Sequence, residues 1–440
     1  MKRYVVCGLS NRGLASFVLP LLDHGDTVAG VVDPDRARVE SFNDSVLPEG
    51  HERLPWYAPD DFDRMVDELA PDTVIVASPD HTHAGYIVAA LARDLDVISE
   101  KPMVTTAADA VRVLNAERDS KGSVLVTHNM RYIPRHRQIK RLIQDGRLGR
   151  ITHVALDYHV DVRHGGSYFQ RWNRVRALSG GLSVHKGCHH LDLVSWWIDA
   201  APEQVFAYGA LNYYGPGSPH RPRDAAGVPY TGADLYERDP YYRAQAGSGA
   251  FAFAEPGGVR TGLYGLAYEH QYPDDTYLYD DEIDIEDTYS ALVRYDSGAS
   301  LAYSLDFSSP WEGYRVLISG THGQIESRHG RTPDGTPLPG SDTFTFSPLF
   351  GEPETIEVIV REGGHEGADP LQRSDLFGEP APESLRDNLL ADARQGALAV
   401  ATGEAIWRSA VEARPIDIAE LLPRREMAVT CERRIFDWPR

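Results

Sequence analysis

The sequence predicts an α/β protein of two domains, a doubly wound parallel sheet over residues 1–128 and a second α/β domain over 129–440. Three observations predict it. A glycine-rich turn near the N-terminus joins a short apolar run to an apolar helical segment. Apolar runs of strand length then alternate with helical segments as far as residue 128. Beyond that point the segments lengthen and alternate with period two.

Tyr4-Val5-Val6-Cys7 reads as a buried strand, followed by Gly8-Leu9-Ser10-Asn11-Arg12-Gly13 and a helical segment over 14–22. A second strand over 27–32 ends in Asp33, twenty positions after Gly13. This is an arrangement that binds a dinucleotide. The glycines let pyrophosphate approach the helix start, and the carboxylate accepts from a ribose hydroxyl. Ser10 stands where a middle glycine is usual. Asp33 would repel a 2′-phosphate and Pro34 follows it, so NAD is expected rather than NADP; Arg36 and Arg38 nearby are the opposing feature.

The alternation continues. A helix is expected over 63–69, and a strand over 73–77 ends in Ser78-Pro79-Asp80-His81-Thr82-His83. A helix over 84–91, a strand over 96–99 ending in Glu100-Lys101-Pro102, a helix over 107–116 and a strand over 123–126 complete the domain. Ligands of such a sheet lie at the strand C-terminal ends, where Asp33, Ser78, Lys101 and Asn129 fall.

After Asn129-Met130-Arg131-Tyr132-Ile133-Pro134 a basic helix runs to about Gly146. Strand-like segments follow at 151–160, 204–210, 290–295, 301–307 and 314–319, with one more at 356–360. They fit an antiparallel or mixed sheet. Long Gly-, Pro-, Tyr- and Asp-rich loops are expected over 213–249 and 333–347, and a final amphipathic helical region over 383–413. The acidic segment 274–287 is interleaved with Tyr277, Leu278, Tyr279, Ile283 and Ile285, which predicts an ordered loop and strand rather than a disordered run.

The densest chemistry lies between Ser179 and Trp197. His185, Lys186, His189, His190 and Asp192 crowd into eight residues behind the pair Gly180-Gly181. On a continuous helix His185, His189 and Asp192 share one face. That density points to proton transfer. The same residues also suit a core of hydrogen-bonded histidines, with Asp192 orienting one of them. A metal reading of His185 and His189 is disfavoured by the cation Lys186 and by the missing Glu of His-Glu-x-x-His, so no metal is expected.

With 65 acidic against 44 basic residues the net charge is −21, which argues against nucleic acid and anionic membrane as partners. Only Lys2, Lys101, Lys121, Lys140 and Lys186 are lysine among those basic residues. Arginine does not deprotonate, so a lysine retained in an arginine-rich chain marks a place for a compact or titrating ammonium. Cys7, Cys188 and Cys431 are too scattered for a disulfide framework, and no signal peptide or membrane span is evident, so the cytoplasm is expected.

Glu100-Lys101-Pro102, the glycine turn, Ser78-Pro79 with His83, Asn129-x-Arg131-Tyr132-x-Pro134 and Gly180-Gly181 with His189-x-x-Asp192 together resemble the glucose-fructose oxidoreductase, inositol dehydrogenase and MocA (Gfo/Idh/MocA) family. The resemblance covers the N-terminal half well and the C-terminal half loosely. It implies a Rossmann dinucleotide-binding domain plus a domain with a large open, mostly antiparallel sheet that often mediates oligomers, here a dimer or tetramer. It also implies NAD-dependent chemistry on a sugar or cyclitol. Gly8, Ser10, Asn11, Arg12, Gly13, Asp33, Ser78, Pro79, His83, Glu100, Lys101 and Asn129 then become candidates to hold NAD. Lys101 matches the lysine near nicotinamide and substrate, and His189 the proton-transfer position. His185 stands where many members carry Asp. Arg131, Tyr168, Arg171, Trp172, Lys186 and His190 are the candidates to grip the polyol. The expected activity is hydride transfer at a secondary alcohol; the alternative is redox-neutral cleavage of a glycosidic bond.

Overall fold

The computed structural model describes residues 2–231, 233–240, 265–266 and 276–423. Part of the loop expected over 213–249, the start of the acidic segment at Asp274, and Cys431 lie outside the described residues.

Buried apolar runs build the first sheet. Strands β1 (Arg3–Cys7), β2 (Thr27–Val32), β3 (Trp56–Tyr57), β4 (Thr73–Val76), β5 (Asp96–Ser99) and β6 (Val124–Val126) pair in parallel in the order β6-β5-β4-β1-β2-β3. Val5, Val74, Val76 and Val97 are sealed from solvent between helix layers, which is why these strands read as unbroken apolar runs rather than alternating ones. The helix after the glycine turn widens to π geometry over Leu14–Val18. Pro20, which has no amide proton to give the ladder, follows two positions on.

Among the described residues the second sheet has nine strands. They are β7 (Ile151–Asp161), β8 (Pro202–Ala210), β9 (Thr288–Tyr295), β10 (Ser300–Ser309), β11 (Glu312–Gly320), β12 (Gly323–Arg331), β13 (Thr343–Pro348), β14 (Glu354–Glu357) and β16 (Ile416–Asp417). Their order is β14-β13-β12-β11-β7-β10-β9-β8-β16, antiparallel throughout except for the parallel β7–β10 pair. One face packs on helix Ala393–Glu412 at β8, and His190 of helix Gly187–Ile198 meets Tyr158 of β7 and Tyr303 of β10. Tyr208 and Leu292, 71% and 61% exposed, sit in β8 and β9 among residues that alternate with the buried set.

Several sequence expectations need correction. The stretch 333–347 is not all loop, because β13 begins inside it, and β14 overlaps only the first two residues of the strand expected at 356–360. The region 383–413 is not one helix. It divides into Pro382–Arg386, strand β15 (Ala391–Asp392) and Ala393–Glu412, with Asn388 left-handed at the break. Strand β15 pairs antiparallel with β6, so a segment far beyond residue 128 completes the edge of the first sheet. The stretch from 182 to 198 is two helices, Leu182–His185 and Gly187–Ile198, so His185 does not share a helix with His189 and Asp192. No helix among the described residues is long and apolar enough to cross a membrane.

Candidate active site

The glycine turn is drawn against the end of β4. Gly8 is left-handed at φ +98°, and a Cβ there would stand 2.7 Å from the backbone of Ala77 and Ser78. At Gly13 a Cβ would overlap the Gly8 carbonyl oxygen. Both positions therefore need glycine, and the turn presents bare backbone to whatever it binds. Ser10, in place of a glycine, ties the turn down: its hydroxyl donates to Ala77 O and accepts from Gly13 N, both at 3.0 Å, and so caps the helix that Asn11 opens.

At the end of β2 the Asp33 carboxylate is held by three donors. Leu9 N lies at 2.8 Å, Asp35 N at 2.9 Å, and the buried Arg38 guanidinium at 3.3 Å from both oxygens. Burial raises the Asp33 pKa and outweighs the lowering by Arg38 and the two amides. Arg36 turns away, pairing with Glu40 and covering the Trp56 ring.

Arg12, inside the turn, is gripped by two carboxylates: Glu100 at 2.8 Å and Asp369 at 3.3 Å. Asp369 also accepts from Asn129 Nδ2 at 3.0 Å and from His365 Nδ1 at 2.8 Å. It arrives from the segment Gly364–Phe377, whose residues His365, Glu366 and Gly367 are all left-handed. Burial would raise the Asp369 carboxyl, but His365, Arg12 and Asn129 reverse that and hold it well below the usual carboxylate range. Nothing local in the sequence marks Asp369, whose partner Arg12 is 357 positions away.

The ends of β4 and β5 are latched together by His83, whose ring nitrogens face Ser78 O at 2.8 Å and Pro102 O at 2.9 Å. His83 is buried, so the structure turns this cofactor candidate into a positioning residue. Ser78 Oγ lies 2.6 Å from Thr82 Oγ1, just after Pro79. Glu100 is likewise buried, facing Arg12 and the Lys101 amide.

Lys101 Nζ donates to the His185 carbonyl oxygen at 3.2 Å. His185 Nδ1 donates to Asp80 Oδ2 at 2.5 Å, and its Nε2 accepts from Asn173 Nδ2 at 3.4 Å. Burial lowers the His185 pKa more than Asp80 raises it, so the ring is neutral near neutrality. Asp80 belongs to a motif the sequence analysis quoted, yet only the fold brings it to a histidine 105 positions on.

His189 is 9% exposed and its Nδ1 has no hydrogen-bond partner among the described residues. Burial, then the Lys101 and Lys186 ammoniums, hold its pKa well below 6.5, so it is a neutral proton acceptor. Asp192 does not orient it. Both oxygens of Asp192 are taken by Arg131, Nε at 2.8 Å and Nη2 at 2.5 Å. Arg131 is only 1% exposed and so cannot reach a polyol. His190 is fully buried, bonded through Nδ1 to Tyr303 and stacked on Tyr158, and also leaves the set of substrate candidates.

The other candidates form one wall. Trp172 and Tyr168 meet the His185 ring edge-on, with centroids 5.6 and 5.5 Å away. Arg171 lies over the Tyr168 ring and bonds back to Ser167. Lys186 lies over the Tyr158 ring with Glu312 at 3.9 Å. Tyr168 Oη meets His164 Nε2 at 3.0 Å, and His164 Nδ1 meets Glu312 at 2.9 Å. Sequence reasoning missed His164 and Glu312; the four-residue spacing of His164 and Tyr168 on one helix was the only local signal. Among the described residues no three His, Cys, Asp or Glu side chains converge as a metal would require.

Comparison with known proteins matches both halves of the chain. Residues 2–128 match the family model described as "Oxidoreductase family, NAD-binding Rossmann fold", and 140–418 match "Oxidoreductase family, C-terminal alpha/beta domain". The YteT protein of Bacillus subtilis (strain 168) is 45% identical over 426 residues, 96% of this chain and 99% of its own. Inositol 2-dehydrogenase 2 of Saccharopolyspora erythraea is 32% identical over 134 residues, 30% of this chain and 36% of its own. The solved structure of a levoglucosan dehydrogenase, complexed with NADH and L-sorbose, superposes with a TM-score of 0.63 at 14% identity, covering 96% of this chain and all of its own.

Proposed function

The chain belongs to the Gfo/Idh/MocA oxidoreductase family and carries its NAD-binding domain, and from that premise we propose that it moves a hydride between NAD and a secondary alcohol or ketone of a sugar, glycoside or cyclitol. The bare-backbone turn at Gly8 and Gly13, with Arg12 and Asn129 held beside it, fits the dinucleotide. When bound, NAD supplies the hydride acceptor.

The observation that carries the reading is a lysine ammonium, held at the His185 carbonyl, beside a neutral histidine whose pKa it helps to lower. Lys101 faces the hydroxyl and stabilises the alkoxide charge as it develops. His189, neutral at the working pH, takes the hydroxyl proton. Asp80 fixes the His185 ring, and through it the backbone carbonyl that holds Lys101. Trp172 and Lys186 offer an aromatic face and a cation to the polyol. We further assign the sheet face bearing Tyr208 and Leu292 to self-association as a dimer or tetramer, which light scattering measures directly.

The test is NADH absorbance across sugars, glycosides and inositols. At least one substrate should give net NADH formation, or its ketone net NADH consumption. No redox change with any of them would overturn the reading. Product cleavage without net NADH would select the redox-neutral alternative instead.

A further inference from the structure

Proton acceptance by His189 requires one tautomer of its ring. Nδ1 is sealed from solvent and has no hydrogen-bond partner among the described residues, so Nε2 is the nitrogen that can meet a hydroxyl. Nε2 accepts only while the ring's own proton sits on Nδ1. A sealed N–H without an acceptor is costly, so a neighbouring group must receive it.

The ring next to it is His128. The two meet edge-on, with centroids 6.4 Å apart and planes at 77°. His128 is buried as well, and neither of its nitrogens has a hydrogen-bond partner among the described residues. Three sealed imidazole nitrogens without partners therefore fall within one ring contact. Beside His128 stands a carboxylate, with Nδ1 3.8 Å from Asp192 Oδ2. Arg131 takes one bond at each Asp192 oxygen, which leaves a lone pair on each for a further donor.

Two elements bring these groups together. His189 and Asp192 stand one turn apart on the helix Gly187–Ile198. His128 follows β6, its amide donating to Val126 O at 2.8 Å, and the turn Asn129–Tyr132 after it carries Arg131. One short segment thus delivers both a guanidinium and an imidazole to Asp192. The charges are divided in the same way. Burial lowers both rings; after it, His189 is lowered most by the Lys101 and Lys186 ammoniums. His128 is raised by Asp192 and Glu100 against Arg131 and Lys101. Asp192 therefore acts on His128, and His128 on His189.

We propose that His128 is a positioning residue: it accepts a hydrogen bond from His189 Nδ1–H, donates its own Nδ1–H to Asp192, and so holds His189 with Nε2 bare; this rests on the hydride-transfer reading above. In the proton step the substrate O–H bond breaks and its proton joins His189 Nε2. The electron pair stays on oxygen and becomes the second bond of the carbonyl as the hydride departs to NAD. The new imidazolium donates from Nδ1 to a neutral ring backed by a carboxylate, which offsets the two ammoniums. Hydrogen bonds of this kind often tighten only when substrate is seated, in keeping with the 3.8 Å separation.

The experiment uses the full chain with NADH bound and its histidine rings labelled with 15N. Two-bond 1H–15N NMR near neutral pH reads the tautomer, with His189 assigned by the signals lost in His189→Asn. NADH absorbance with myo-inositol, methyl β-D-glucopyranoside and 1,6-anhydroglucose reads turnover. His189 in the unmodified protein should carry its proton on Nδ1. In His128→Leu the proton should redistribute toward Nε2, and kcat should fall about tenfold or more with KM little changed, because a general base in the wrong tautomer is idle. His128→Gln, whose amide offers an acceptor to His189 and a donor to Asp192, should recover part of both. A proton on Nε2 in the unmodified protein overturns the inference, and this readout holds even if His128→Leu does not fold. So does a tautomer or kcat unchanged in His128→Leu, or a His128→Gln no better than His128→Leu. Absence of redox turnover with every probe overturns the hydride-transfer reading instead, and the NMR readouts still decide whether His128 sets the tautomer.

Discussion

The two sides of the cleft give their carboxylates different partners. On the cofactor side arginine dominates: Arg12 pairs with Glu100 and Asp369 and Arg38 with Asp33, with His365 an added partner of Asp369. On the substrate side the pairs are histidine with carboxylate: His185 with Asp80, His164 with Glu312. Arginine stays charged at every accessible pH, whereas histidine titrates within it. The cofactor side is thus a largely fixed frame, and pH sensitivity is concentrated where protons move.

The largest test of that division is Lys101→Arg. Turnover should fall about a hundred- to thousandfold, because the planar guanidinium cannot take the place of the ammonium at the His185 carbonyl. NADH affinity, read by fluorescence titration, should change far less. Parallel losses of both would erase the distinction between the two sides. The reverse experiment is Asp369→Asn. It weakens the grip on Arg12 and Asn129, so the NADH dissociation constant should rise about tenfold, or about 1.4 kcal/mol. Saturating NAD should then restore most turnover; a turnover defect that survives saturation would mean that Asp369 serves the chemistry directly.

Acid should act on the histidines. His189 must be neutral to accept a proton and its pKa lies well below 6.5, so oxidative kcat/KM should hold as pH falls through 6.5 and decline only below it. A midpoint at or above 6.5 would remove His189 from the role. Stability has the same sign. Buried His128 and His136 are each pushed down to about 4 by desolvation, from 6.5 in the unfolded chain. Between those values the unfolded state binds more protons, so stability is lost as pH falls from about 6.5 toward 4, by roughly 1 kcal/mol per unit for each fully protected ring. The apparent Tm measured across that window should fall accordingly, and a flat profile would contradict their neutral burial. The smallest effect expected is cofactor choice. Asp33 should favour NAD over NADP, with Arg38 moderating the preference because its guanidinium already faces the carboxylate. Equal dissociation constants would mean that Arg38 cancels Asp33 altogether.

What the sequence disclosed follows the same divide. Strands β1, β4 and β5 are short apolar runs ending in their own motifs, so both element and site residue lie within a few positions of each other. Gly8 and Gly13 were readable because a tight turn has few chemical solutions. Strand β12, by contrast, spells Gly-Gln-Ile-Glu-Ser-Arg-His-Gly-Arg, polar enough that only its neighbours in the sheet make it a strand. Arg131 and His190 lie in the motifs that carry the resemblance, but a motif does not report what covers a side chain. Asp192 covers one and Tyr303 the other. Asp80, Glu312 and Asp369 reach their partners across 105, 148 and 357 positions, beyond any local pattern.

Strand β15 gives the chain a particular order of assembly. Among the described residues the free edge of β6 is covered by Ala391 and Asp392 alone. On the ribosome the first sheet must therefore wait, one edge unpaired, until almost the whole of the second domain has been made. An open parallel edge is a template for another chain to pair with. Residues 1–128 produced alone should thus be prone to aggregate, whereas adding residues 389–412 in trans should protect them. Exchange of cofactor domains between relatives would need to carry that two-residue strand along.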